Sequence, residues 1–116
     1  MAPRRSKYGA VPKVVDGIRF HSKREATRYQ ELRLLEKAGE VKDLELQPEF
    51  PLFVPGRGNG GPYERVCLGK YVADFRYRAG RIGLLVIEDV KGVKTPLYRW
   101  KKKHVEAQYG IQIREV

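Results

Sequence analysis

Lys70-Tyr71-Val72-Ala73-Asp74-Phe75-Arg76-Tyr77 is followed, across a glycine turn, by Leu84-Leu85-Val86-Ile87-Glu88-Asp89-Val90-Lys91; these two segments decide the reading of the fold. Tyr63 to Tyr77 reads as a strand. The turn at Ala79-Gly80 leads into a second strand over Ile82–Val90, so the two are antiparallel neighbours. The Leu84–Ile87 run suits a central strand buried on both faces. Acids stand where strands normally carry apolar side chains. Alternation places Asp89 and Lys91 on one face and Glu88 on the other. Counted out from the turn, Asp74 and Asp89 lie at comparable distances and converge at one end of the sheet. Two like charges held close together are costly without a cation between them. The plainer alternatives are an ion pair of Asp74 with Arg76 or Arg78, and a structural Asp89–Lys91 pair at a strand end.

Upstream, Ser22-Lys23-Arg24-Glu25 has the S-x-x-E form of a capping box, which predicts a helix to Ala38 stopped by Gly39. Ala26, Tyr29, Leu32 and Leu35 recur at helical spacing and define its buried stripe. Glu25 lies within that stripe and points at the sheet; it serves as the cap, as a site residue, or as both. Val14 to Phe20 reads as a short hairpin turning at Asp16-Gly17. Val41 to Phe53 reads as a strand broken at Pro48 and Pro51, with Gln47 a weak candidate for orienting a water. Residues 55–63, rich in Gly and Pro, read as a loop. Downstream, Thr95 and Pro96 open a second helix ending near Tyr109, before Gly110, and Ile111–Val116 forms a last strand. Lys101 falls between Leu97 and Val105 on the apolar side of that helix. It is there to neutralise a phosphate or the acids, or else it snorkels to water. Gly92 leaves room for a phosphate beside the backbone at Lys91.

The chain has 116 residues, enough for one domain: residues 1–13 form a basic flexible arm and residues 14–116 a single domain. Hydrophobic residues make up 41%, which excludes a disordered chain. The longest apolar runs fall far short of the ~20 residues of a membrane span, and no signal-peptide pattern opens the chain, so a cytoplasmic protein is expected. The net charge of +10 points to a polyanion partner, and nucleic acid is the commonest. Cys67 is a lone cysteine, and His21 and His104 are too few for a zinc centre. A bound metal should therefore have carboxylate ligands, which favours Mg²⁺ or Mn²⁺.

Asp74 and Asp89-Val90-Lys91, after a helix bearing Glu25, in an α-β-β-β-α-β order, resemble the PD-(D/E)XK nuclease superfamily, with Ala73 where the family name has proline. The segments FHSKREATRYQEL, DLELQPEFPL, YVADFRY and VIEDVKG-VKT resemble small phage-encoded nucleases related to Holliday junction resolvases. The resemblance implies an α/β, restriction-endonuclease-like core, with a central mixed β-sheet flanked by helices. It implies a metal-dependent endonuclease that cuts branched double-stranded DNA as a homodimer, in the cytoplasm of a bacterial host if phage-encoded. Glu25, Asp74 and Asp89 would be the metal ligands, with the carbonyl of Val90. Lys91 would position or activate the attacking water and stabilise charge growing on the phosphorane. Adjacent acids leave the register open between Glu88 and Asp89; the i, i+2 relation to Lys91 selects Asp89. Arg4, Arg5 and Lys7 in the arm, Arg57 in the loop, and Lys94, Lys102 and Lys103 would contact phosphates. The rival readings are another DNA endonuclease of the same superfamily, acting on linear or nicked duplex, and a non-catalytic nucleic-acid-binding module.

Overall fold

The computed structural model describes residues 12–58 and 61–116. Asp16 and Gly17 both adopt positive φ (52° and 76°). That backbone closes the hairpin of β1 (Lys13–Val15) and β2 (Ile18–Phe20). Lys13, expected in the arm, opens β1, and residues 1–11 lie outside the described residues. Helix α1 (Lys23–Lys37) begins as its sequence predicts: Ser22 is the cap, and its hydroxyl accepts from the backbone N–H of Glu25 at 3.1 Å. Gly39, at φ 81°, follows its end. The stripe is shorter than expected. Ala26, Tyr29 and Leu32 are buried, but Leu35 is exposed.

The segment read as one broken strand is two, in different sheets: β3 (Val41–Leu46) and β4 (Glu49–Gly58). The segment read as Tyr63–Tyr77 likewise divides into β5 (Gly61–Val72) and β6 (Phe75–Ala79). Residues 55–58, expected in a loop, continue β4 as one arm of a long hairpin with β5. Its prolines are tolerated because this two-stranded ribbon has outer edges on which no N–H is required. Gly56 is needed for close approach, since a Cβ there would stand 3.0 Å from Cγ2 of Val66.

After β6 the turn spans residues 80–83, with Gly80 and Gly83 at positive φ, and β7 (Leu84–Asp89) returns antiparallel. Helix α2 (Pro96–Tyr109) is capped by Thr95 and closed by Gly110 in the left-handed conformation, and β8 (Ile113–Glu115) then pairs parallel to β7. The central sheet has the order β3-β6-β7-β8 and is mixed. The protein is thus α/β, with ten elements among the described residues where the sequence predicts fewer, the added ones being hairpin strands.

Two apolar clusters define the two faces of the central sheet. On one, Ala26, Tyr29 and Leu32 of α1 pack with Phe20, Val41, Phe75 and Tyr77. On the other, Tyr98 and Val105 of α2 pack with Ile87 and Ile113, and with Phe50, Leu52 and Tyr71 of the long hairpin. Strand β7 is buried on both faces only in its second half: Ile87, Glu88 and Asp89 are covered, whereas Leu84 is 63% exposed. No helix among the described residues is long and apolar enough to cross a membrane.

A candidate carboxylate and lysine site

The register of the central sheet explains why distant acids meet. Phe75 pairs with Glu88, so one step further in the same antiparallel ladder Asp74 stands opposite Asp89. Asp74 occupies the crossing from β5 to β6, held on both sides by backbone bonds: its N–H donates to Glu88 O, and its own carbonyl accepts from Gln47 N–H. Its Oδ2 accepts the backbone N–H of Val90 at 2.6 Å. Glu25 comes to the same region from the first turn of α1, whose Arg24 guanidinium reaches the carbonyl of Lys91 at 3.4 Å. Glu25 and Asp74 line one small cavity of about 200 Å³ with Arg19, Phe20 and Gln47.

The electrostatics of the three acids are shared. Burial first, then the charges of Asp89 and Glu25, together lift Asp74 to about 8, and the N–H of Val90 opposes the rise. Burial also raises Glu25. The charge and backbone N–H of His21 oppose that shift, Asp89 adds to it, and Lys91 offsets part of it. Asp89 is almost wholly buried. Its Oδ2 accepts from the Tyr71 hydroxyl, and Lys91 Nζ stands 3.3 Å from Oδ1. The Lys91 ammonium also lies 4.4 Å from the centroid of the Tyr98 ring, which fixes it over an aromatic face.

Glu88 has a different environment. It faces α1, where Arg28 grips both of its oxygens, at 2.8 and 2.6 Å, and the Tyr77 hydroxyl donates to one of them. Its hydrogen-bonding capacity is spent on structure, so the register ambiguity resolves in favour of Asp89 as the acid facing Lys91. Asp74 pairs with neither neighbouring arginine: Arg76 binds Glu45, and Arg78 binds the carbonyl of Gly83. Lys101 stands apart from the acids. Its ammonium donates to the carbonyl of Lys70 at 3.3 Å, and Leu97, expected on the apolar side, is exposed. Lys94 and Lys102 both pair with Glu115, at 3.4 and 2.9 Å. Lys103 is exposed on α2 and Arg57 on β4. Arg4, Arg5 and Lys7 lie outside the described residues.

Sequence reasoning missed Arg19, Arg28, Tyr71 and Tyr77. A period-two reading of β2 places Arg19 opposite in facing to buried Phe20, which was the available signal. No local pattern announces that Tyr71 and Tyr77, on different sheets, end on Asp89 and Glu88.

A divalent cation fits the chemistry of the donor set, which is all carboxylate, partly desolvated and short of positive charge. The set is not a preformed cage. Among the described residues, no three His, Cys, Asp or Glu side chains are grouped at ligand spacing. Asp89 has one oxygen on Tyr71 and the other near Lys91, so taking up a cation means exchanging one of these contacts.

Fold and site together define a small α/β protein with a lysine-flanked carboxylate cluster at the end of a central strand. The chain belongs to the family described as "Protein of unknown function (DUF1064)", whose model matches residues 5–115. Neither a curated protein nor a solved structure matches it.

Proposed function

We propose that this chain is a divalent-metal-dependent endodeoxyribonuclease that hydrolyses phosphodiester bonds in branched DNA, with the four-way junction as its type substrate. The observation that carries the reading is geometric: the strand register sets Asp74 opposite Asp89, Glu25 lines one cavity with Asp74, and Lys91 Nζ stands 3.3 Å from Asp89. The positive charge of the whole chain supports a nucleic-acid substrate, and the Asp74…Asp89-Val90-Lys91 pattern supports the PD-(D/E)XK resemblance.

Glu25, Asp74 and Asp89, with the Val90 carbonyl, would hold Mg²⁺ or Mn²⁺. When bound, such an ion polarises the scissile phosphate and acidifies water. Lys91 supplies a fixed positive charge where negative charge grows on the phosphate oxygens, and its position over Tyr98 keeps that charge aimed. Asp74, lifted to about 8 by burial and by the neighbouring acids, would hold the ion as its carboxylate, the form that a nearby positive charge favours. Arg19 and Gln47 line the cavity with Glu25 and Asp74 and orient the phosphate backbone. Symmetric cutting of two strands needs two such sites related by a two-fold axis, so the active species is a homodimer. The working compartment is the cytoplasm.

The test incubates purified protein with a labelled four-way junction and with linear duplex of the same sequence, each with and without Mg²⁺. Mg²⁺-dependent cutting of the junction in preference to duplex is expected. Asp89→Asn should keep junction binding and lose cutting. Equal cutting of both substrates removes the junction assignment and leaves a general DNA endonuclease. Binding with no cutting in Mg²⁺ or Mn²⁺ defeats the enzyme reading in favour of a binding module.

A further inference from the structure

We propose that the outer face of α2 holds an unpaired nucleotide, its base stacked on Trp100 and its phosphates against Arg99 and Lys103. The inference rests on the DNA reading above and adds to it a means of telling branched DNA from continuous duplex.

Trp100 is the only tryptophan in the chain and is 79% exposed. It follows Tyr98 by two residues, about 200° around the helix. Tyr98 joins the core, and the Trp100 ring therefore stands on the opposite side, toward solvent. Leu97 and Lys103, three residues before and after, continue the same exposed ridge. On the Tyr98 side of this ridge, and sharing Lys103 with it, runs an open groove of about 440 Å³ lined also by Lys94, Arg99 and Lys102, with Glu106 and Glu115. Both acids are engaged. Glu115 holds Lys94 and Lys102, and Glu106 accepts the backbone N–H of Ile113 at 2.8 Å. Arg99 and Lys103 form no ion pair among the described residues. Two unpaired cations thus flank an exposed aromatic face.

Every base offers a π-face, and cations track the phosphates, so this arrangement binds single-stranded nucleic acid with little sequence preference. A continuous duplex keeps its base faces inside the stack. A flap or a junction centre exposes them. A second copy of this chain is the poorer occupant, because it would set the cations of α2 against one another.

The experiment uses the intact protein in EDTA, which separates binding from cutting, and follows tryptophan fluorescence excited at wavelengths that tyrosine does not absorb, so that it reports on Trp100. The ligands are a four-way junction, a duplex with a single-stranded flap, and a blunt duplex of matched sequence. Junction and flap should quench the emission strongly and the duplex only slightly. By anisotropy of labelled DNA, Trp100→Ala should weaken junction and flap binding about tenfold and leave duplex binding unchanged. Trp100→Phe should recover part of the loss. Binding of junction without quenching, or unaltered binding by Trp100→Ala, overturns this inference while leaving the DNA reading intact. A blue shift that grows with protein concentration and ignores DNA assigns the ridge to contact between copies, which also overturns it. No binding of any of the three DNAs defeats both.

Discussion

Asp74 holds a proton across a pH range in which an ordinary aspartate is ionised, and this has a measurable consequence for stability. Its folded value is about 8 against an ordinary 3.8. Between these values the folded chain binds more protons than the unfolded one, so stability falls as pH rises from about 4 to about 8 and levels beyond. Asp74→Asn removes the charge and keeps an acceptor for the N–H of Val90. In metal-free buffer it should raise Tm at pH 8 by roughly 4 °C or more and flatten the slope below it, as read by calorimetry across pH. Lys91→Ala acts on the reaction instead. It takes away a donor aimed at developing charge, so kcat on a junction should fall about a hundredfold to a thousandfold with binding little changed. Single-turnover kinetics would separate the two.

The elements that end in caps were readable in the sequence, and those that depend on distant partners were not. Ser22 and Gly39 bound α1, and Thr95, Pro96 and Gly110 bound α2, because a cap is a local transaction between a side chain and the nearest N–H groups. The β4–β5 hairpin escaped because Pro55-Gly56-Arg57-Gly58 has the composition of a loop, and its strand conformation comes from ladder bonds to residues 61–65. The acids Asp74 and Asp89 were legible because they break strand alternation; the partners Tyr71 and Arg28 were not, because nothing near them in sequence marks their targets. Arg28 is the tie between α1 and the central sheet, and it neutralises a carboxylate with no exposed surface. Arg28→Ala leaves Glu88 charged and buried, so it should cost about 3–5 kcal/mol in urea unfolding. Adding Glu88→Gln should recover at least half of that loss, since the amide strands no charge. Glu88→Gln alone should still cut DNA, which also checks the choice of Asp89 over Glu88.

At the scale of the whole molecule, the positive charge is less available than the net value of +10 implies. Arg28, Arg33, Lys70, Arg76, Lys91, Lys94 and Lys102 are each committed to an acid within the fold. The cations left to meet phosphates include Arg19 beside the carboxylate cavity and Arg99 and Lys103 on α2. Arg19 belongs to the α1 side of the central sheet and Arg99 and Lys103 to the α2 side. Each phosphate neutralised releases counterions, and the affinity then falls with salt in proportion to the number of contacts. Junction affinity should drop by about a thousandfold between 50 and 200 mM salt, as expected for roughly six phosphate contacts. The slope distinguishes charge from stacking. Lys103→Ala should flatten the logarithmic plot by about one contact, because it removes a counterion-releasing partner. Trp100→Ala should shift the plot downward in parallel, because an indole carries no charge. Parallel shifts for both variants would mean that Lys103 does not meet the backbone, and Arg99 would then be the cation of α2 left to hold the phosphates beside Trp100.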